Sequence, residues 1–381
     1  MRVTHIITRL IVGGAQENTL ATVQGLRQIP GVEVHFISGP TTGPEGSLEA
    51  GVQNLIIVPE LIRSIHPLKD RQALKKLEKI LREQRPDIVH THSGKAGILG
   101  RMAAKRAGVP IIIHTIHGPS FGKFQGVLAN FIFRCAEKYA GKFTTHFEVV
   151  ADAMKNQYLA AKIGTPEQYT KIYSGFALEP FLTVKNDGEV RRKLGIEPDD
   201  FVIGKIARLF KLKGHDDLFA VAPELVRQNP KIKFLLIGDG PWRERFEHLA
   251  KNQGLKKHFI FTGLVPPVEV PKYTGIMDAL VHLSLREGLP RALPQALAAG
   301  KPVVAYDCDG ASEVCHDGQT GFLVQPGDFD TLKKRLLQLA GAPALCQKMG
   351  QAGRQFVREN FAVEKMVRDT YTLYMKLSAD H

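Results

Sequence analysis

The sequence predicts an α/β protein built as two parallel-sheet halves, and three observations carry that reading. Short apolar runs alternate with longer helix-forming runs along nearly all of the 381 residues, the pattern of repeated βαβ units. Strand-like runs end in glycine-containing turns that lead into helices, as at 3–7 before Gly13-Gly14 and at 234–237 before Gly238-Asp239-Gly240. A charged stretch without a long apolar period, 182–198, separates the halves, and a fresh strand begins at 201. Length alone allows two or three domains of ordinary size. We read 1–180 as the first domain and 181–362 as the second.

The 44% hydrophobic share is that of a globular chain. No apolar run nears the roughly 20 residues of a membrane-spanning helix. The first strand follows Met1 and Arg2 directly, without the features of a secretory leader. Four cysteines (Cys135, Cys308, Cys315, Cys346) form no C-x-x-C pair. Both features predict a reducing cytoplasm. The net charge of +13 is concentrated: residues 61–142 hold 16 Lys and Arg against 5 Asp and Glu, a local +11. Such a stripe favours polyanions. With no zinc spacing or RRM signature, nucleic acid is set aside. The cytoplasmic face of an anionic membrane is the favoured partner, against a solvated basic face with none.

In the first half, 3–7 reads as a buried strand, 17–28 as a helix and 32–38 as the next strand. The turn between them lacks G-x-G-x-x-G, so no dinucleotide fingerprint is supported. A tight turn explains Gly13-Gly14 as well as a ligand contact does. A helix at 67–85, a strand at 87–91, a helix at 96–107 and a strand at 111–115 follow. Ligands of such sheets bind beyond the carboxyl ends of the strands. His92 and His117-Gly118 fall at such ends, with His90, His92 and Lys95 as acceptor-side candidates. A histidine at a strand end is also an ordinary structural residue. Residues 121–143 alternate aromatics with Lys123, Arg134, Lys138 and Lys142. That pattern serves either an amphipathic helix resting on a membrane or a core helix with a basic outer face.

In the second half, a strand at 201–207 runs into Arg208-Leu209-Phe210-Lys211-Leu212-Lys213-Gly214, ahead of a helix starting near His215. Two cations at a strand-to-helix turn suit a diphosphate, Arg208 as a fork and Lys213 as a point charge. A cation pair at such a turn is also ordinary solvated surface. Strands at 234–237 and 259–262 end at Gly238 and at Gly263-Leu264. Helices are read at 333–340, 345–360 and 363–376.

The most informative stretch is 284–305, SLREGLPRALPQALAAGKPVVA. It opens with Glu287-Gly288, places Pro290 where a helix begins, and continues as a helix at 291–299 that Gly300 ends before a strand at 303–306. Pro294 falls in the first turn, where N–H groups have no intrahelical partner. Such a helix start suits phosphate, and Glu287 beside it can accept from neutral hydroxyls. A ligand that carries both phosphate and polyol is a sugar nucleotide. A surface acid in a loop is the plain alternative.

This stretch resembles the E-x7-E region of family-4 retaining glycosyltransferases of the GT-B fold. Glu287 matches the first glutamate, and Gln295 stands where the second is expected. Gln295 keeps the shape and loses the charge, so it cannot accept from both ribose hydroxyls as a carboxylate does. Arg208 and Lys213 match the spacing of the family's diphosphate-binding pair. His117 matches its sugar-contacting histidine, and GASEVCHDGQTGFLV at 310–324 matches its glycine-rich turn, Glu313 and closing strand. On that match Asp307-Cys308-Asp309 is not a metal motif, and no metal cofactor is expected. The resemblance implies two Rossmann-like domains facing a central cleft, with 363–381 returning to the first. It implies catalytic roles for Glu287, His117, Arg208 and Lys213. Donor contacts are implied at Gly14, Gly238, Leu264, Gly288, Leu289, Pro290, Arg291 and Gln295, largely through backbone near the base.

The expected activity is a retaining, metal-independent transfer of a hexosyl or N-acetylhexosaminyl unit from a UDP-linked donor. Its acceptor would be a glycan, a lipid-linked sugar or a small molecule in cell-envelope polysaccharide synthesis. The expected site of action is the cytoplasm, peripheral on the inner face of the membrane. The rivals are another GT-B sugar-nucleotide enzyme, an epimerase or inverting transferase, and a non-catalytic sugar-nucleotide-binding protein, which Gln295 would suit.

Overall fold

The computed structural model describes residues 1–42, 46–122 and 124–380. The chain divides into two units, Met1–Phe176 together with the last helix, and Ala177–Ala362. Lys123 lies outside the described residues.

The first unit runs β1 (Arg2–Ile7), α1 (Gly14–Leu26), β2 (Glu33–Ser38), β3 (Leu55–Ile57), α2 (Pro67–Gln84), β4 (Ile88–His92), α3 (Gly94–Ala107) and β5 (Ile111–Ile116). It continues through α4 (Val127–Gly141), β6 (His146–Val149), α5 (Asp152–Ala160) and β7 (Tyr169–Lys171). All seven strands pair in parallel in the order β3-β2-β1-β4-β5-β6-β7. Helices cover both faces, so the central strands are buried on both sides rather than alternating between core and solvent, although β1, β4 and β6 carry polar side chains. Between β1 and β4 the strand order reverses, the place where open parallel sheets form a crevice at their carboxyl ends.

The second unit opens with two short helices, α6 (Glu179–Leu182) and α7 (Gly188–Lys193), then β8 (Phe201–Ile206), α8 (His215–Gln228), β9 (Ile232–Ile237), α9 (Arg243–Asn252) and β10 (Phe259–Phe261). It ends with α10 (Val270–Gly275), β11 (Ala279–His282), α11 (Ala292–Ala298), β12 (Val303–Tyr306), β13 (Gly321–Val324), α12 (Phe329–Ala340) and α13 (Pro343–Asn360). The parallel order is β10-β9-β8-β11-β12-β13, and the reversal lies between β8 and β11. The last helix, α14 (Val363–Ala379), belongs to the first unit, where it buries Met366, Thr370, Leu373, Tyr374 and Leu377 against the sheet and α1.

Two stretches differ from the sequence expectation. Residues 182–198 are not a bare connection. Asp187 caps α7, and the buried Arg191 donates to the carbonyls of Ile276, Glu197 and Asp200, so the stretch is folded into the second unit. The helix expected over 291–299 is shorter, Ala292–Ala298 with Arg291 as N-cap. Pro290 precedes it, and the Leu293 N–H is already spent on the Pro290 carbonyl at 3.1 Å. Pro294 supplies no N–H, so this helix end offers fewer donors than the sequence promised.

A buried ion pair and a buried lysine stand out. Arg101 on α3 and Glu137 on α4 form a pair at 2.6 Å with both side chains fully enclosed. Arg101 also donates to the Gly97 carbonyl. On β8, Lys205 is buried and its Nζ has no hydrogen-bond partner among the described residues. Burial and the neighbouring Lys213 push its pKa down to about 7, against the opposing pull of Glu287 and Asp217.

Glu137→Ala leaves the guanidinium enclosed without its carboxylate and is expected to cost about 3–5 kcal/mol, read as a lower denaturant midpoint. For Lys205 the sign follows from proton counting. The unfolded lysine holds its proton up to 10.5, the folded one only to about 7, so between these values the unfolded chain binds more protons and stability rises with pH. Lys205→Met should therefore stabilise the fold at pH 7 by about 1.4 kcal/mol for each unit of depression removed, read as a higher thermal midpoint. The advantage over wild type should vanish by about pH 10.5 in calorimetry.

Candidate active site

At the carboxyl ends of β8 and β11 the second unit gathers most of the residues singled out from its sequence. After β8 the chain passes Arg208, whose guanidinium lies over the Phe210 ring at 5.7 Å from its centre, and reaches Lys213 through the left-handed Leu212. Gly214 follows at φ 65, so close to β11 that a Cβ there would fall 1.9 Å from the Leu283 carbonyl oxygen. Only glycine allows that approach, and the approach brings Lys213 to the Glu287 loop. The two loops are tied again where the Leu285 N–H donates to the Leu212 carbonyl at 2.9 Å and Ser284 Oγ donates to the same oxygen.

Lys213 Nζ donates to Glu287 Oε1 at 2.5 Å, and His282 Nε2 lies 3.6 Å from the same oxygen. Burial works to raise the Glu287 pKa, but Lys213 and His282 together outweigh it and hold the carboxyl well below the usual carboxylate range. His282 is pushed down by burial, against the pull of Glu287. On its far side the loop is held by Asp309, whose carboxylate accepts from the Glu287 N–H at 2.7 Å, and by the Gly310 N–H, which donates to the Gly288 carbonyl. Asp309, an end of the D-x-D spacing, is thus committed to positioning this loop. Gly288, Leu289 and Pro290 are buried beneath the start of α11, with Arg291 and Gln295 half-buried on its first turns. Gly238 pairs with Gly263 as an isolated bridge, and Leu264 beside it is exposed.

In the first unit Gly14 begins α1, and half-buried His117 follows β5. Its Nε2 is 3.1 Å from His92 Nδ1. The acceptor-side candidates fare differently. His90 is fully enclosed and bonded to Tyr374 and Thr115, and His92 is buried, so neither ring can meet an acceptor. Lys95 is engaged by Asp70 and by the Ser64 carbonyl.

Sequence reasoning missed His282, set Lys205 aside as outside the motif, and weighed Asp309 only as part of a D-x-D spacing. A polar residue closing an apolar strand (ALVH) and a cation inside one (FVIGKI) were the available signals. The role of Asp309 could not be read from pattern, because its partner is a backbone N–H brought in by the fold.

Known proteins can now be set beside this geometry. Residues 12–179 match Glycosyltransferase Family 4, and residues 186–356 match Glycosyl transferases group 1. The UDP-Gal:alpha-D-GlcNAc-diphosphoundecaprenol alpha-1,3-galactosyltransferase of Escherichia coli is 28% identical, over 99% of this chain and 97% of that protein. The putative glycosyltransferase EpsD of Bacillus subtilis is 29% identical, over 80% of this chain and 81% of its own. Anabaena Alr3699/HepE, solved in complex with UDP-glucose, is similar with a TM-score of 0.82 at 20% identity, over 98% of this chain and 100% of that one. Both family matches and the doubled parallel sheet agree with the motifs read at Glu287, Arg208 and Lys213: the chain belongs to the GT-B glycosyltransferases, Glycosyltransferase Family 4 in its first unit and Glycosyl transferases group 1 in its second.

Proposed function

We propose that this glycosyltransferase transfers a hexose, with retention and without a metal ion, from a UDP-linked donor to a glycan or lipid-linked acceptor. The observation that carries the reading is the Lys213–Glu287 pair at the strand-order reversal of the second unit, with Arg208 on the same β8–α8 turn. As the glycosidic C–O bond breaks, charge develops on the β-phosphate of the departing diphosphate. Arg208 and Lys213 are assigned to that charge, which in transfer reactions is the largest stabilising contribution. Glu287, kept ionised by its neighbours, is acceptor-only and suits sugar hydroxyls. Gln295 is assigned to the ribose, and Gly14, Gly238, Leu264 and the Gly288–Arg291 segment to backbone contacts with the donor. His117 is assigned to the sugar. The acceptor oxygen attacks the face the diphosphate leaves, and its proton goes to the departing phosphate. Donor nucleotide and lipid-linked acceptor are supported by the UDP-Gal and diphosphoundecaprenol of the Escherichia coli relative's name.

A membrane contact is part of the proposal. Among the described residues no helix is long and apolar enough to cross a membrane. Instead α4 turns Val127, Leu128, Phe131, Ile132 and Tyr139 outward, Val127 with 89% of its surface free, beside exposed Arg134, Lys138 and Lys142. The sequence allowed a core helix with a basic outer face; the outer face is in fact apolar as well as basic. Such a face fits an anionic bilayer from the side where the four cysteines remain thiols.

Two outcomes test these readings. With a UDP-sugar that raises the thermal midpoint of the chain, Lys213→Ala or Arg208→Ala should lower kcat on the order of 100–1,000-fold, and proton NMR of the product should show the donor's anomeric configuration. An inverted product, or turnover that survives both substitutions, overturns the assignment. Phe131→Glu with Ile132→Glu should abolish co-sedimentation with phosphatidylglycerol vesicles and leave the thermal midpoint unchanged. Equal binding by the double variant would refute docking through α4.

A further inference from the structure

Beneath the reversal between β1 and β4, the first unit encloses a continuous line of hydrogen-bonded titratable groups. The sheet register creates it: His5 lies beside His90, His92 beside Thr115, and Thr115 beside Glu148, all pointing to the face that α14 covers. From the half-buried end, His117 Nε2 is 3.1 Å from His92 Nδ1, and His92 Nε2 is 2.9 Å from His5 Nδ1. His5 Nε2 is 3.3 Å from the Tyr374 hydroxyl, which is 2.5 Å from His90 Nδ1. His90 Nε2 is 2.5 Å from Thr115 Oγ1, which donates to Glu148 Oε1 at 3.2 Å. The other Glu148 oxygen accepts from Thr370 of α14.

His5, His90 and His92 are close enough together to suggest a metal site. Each of their ring nitrogens is instead taken by a partner in this line, and a ligand nitrogen needs its lone pair for the ion. Burial pushes all three pKa values down, that of His5 to about 3, so the rings stay neutral, each with one donor and one acceptor. A line of such groups has only two consistent directions. With Glu148 ionised, Thr115 donates to it, His90 donates from Nε2, Tyr374 donates to His90 Nδ1, and His5, His92 and His117 all carry their protons on Nε2. With Glu148 protonated, every bond reverses and His117 carries its proton on Nδ1.

We propose that Glu148 is a positioning residue for His117: through these six hydrogen bonds its charge state selects which imidazole nitrogen of His117 holds the proton, and so whether Nδ1 accepts from or donates to a sugar hydroxyl. The exchange balances. One proton enters at His117 Nδ1, each group hands on the proton it held, and one arrives on the Glu148 carboxylate. The inference rests on the reading of His117 as a sugar contact. Glu148 titrates in the useful range, since burial pushes it up to about 7 with Asp369 adding to the rise. The other groups around it are accounted for. Asp369 is paired with Lys365, Lys171 of β7 with Asp152 of α5, Lys376 acts on His146, and Tyr374 belongs to the line.

The test is side-chain 15N NMR of the full chain with labelled histidine, recorded from about pH 6 to 9 around the Glu148 titration. In wild type, His117, His92 and His5 should change from the Nε2–H to the Nδ1–H tautomer together as pH falls, at one midpoint. An imidazolium, protonated on both nitrogens, is a different signature. Glu148→Gln should hold one tautomer throughout. Tyr374→Phe should free His5, His92 and His117 from the change while His90 still follows it. Tautomers that stay constant with pH in wild type, or a change at His117 that survives Tyr374→Phe, overturn the proposal. The kcat–pH profile is a separate readout: a tautomer change without any effect of Glu148→Gln on that profile upholds the wire and removes His117 from the sugar.

Discussion

Glu287 stays ionised although its surroundings exclude much of the water that would solvate it, because Lys213 is 2.5 Å away and His282 stands behind. That balance depends on backbone as much as on charge. Gly214 lets the β8–α8 turn come against Leu283, and Asp309 holds the Glu287 N–H from the opposite side. Asp309 fixes the backbone of Glu287, while its carboxylate is held by Lys213. An anion that draws Lys213 away uncovers a lone pair of Glu287, which can then accept from a neutral donor.

The alternation of strands and helices made the fold legible, since parallel strands covered on both faces are apolar runs that stand out from amphipathic helices. Arg208, Lys213 and Glu287 each follow a strand, where such sheets present their ligands, but position alone left solvated surface as an equal reading, and the family spacing singled them out. Three features were not. The short strands β3 and β7 have only three residues each, too few for a periodic signal. Helix α11 begins later than its proline pattern implied, because the turn at Pro290 closes on the Leu293 N–H first. His5, separated from Tyr374 by most of the chain, became a neighbour only when α14 packed onto the first sheet.

Both sheets enclose polar groups at the strands flanking their reversal: His5, His90 and His92 in the first, Lys205 and His282 in the second. The two sets are treated differently. In the first unit the ring nitrogens of all three histidines are matched, and the cost of burial is offset by a continuous line of partners. In the second, Lys205 Nζ and both His282 nitrogens lack hydrogen-bond partners among the described residues. Lys205, when protonated, stands unmatched beside Lys213 and makes that region electropositive, at a cost in stability that an apolar residue would not incur.

A helix with outward Leu128, Phe131 and Ile132 gains apolar burial by rolling those side chains inward, so something must oppose the roll. The enclosed Arg101–Glu137 pair does so. Rotating α4 would pull Glu137 off the guanidinium and leave Arg101 charged between α3 and the sheet. An ion pair of this kind adds little net stability over an apolar substitute, yet it penalises the alternative register by the full cost of an unmatched charge. The inner face of the helix thus specifies what its outer face presents, and the exposed apolar stripe is a held feature of the fold rather than a packing fault.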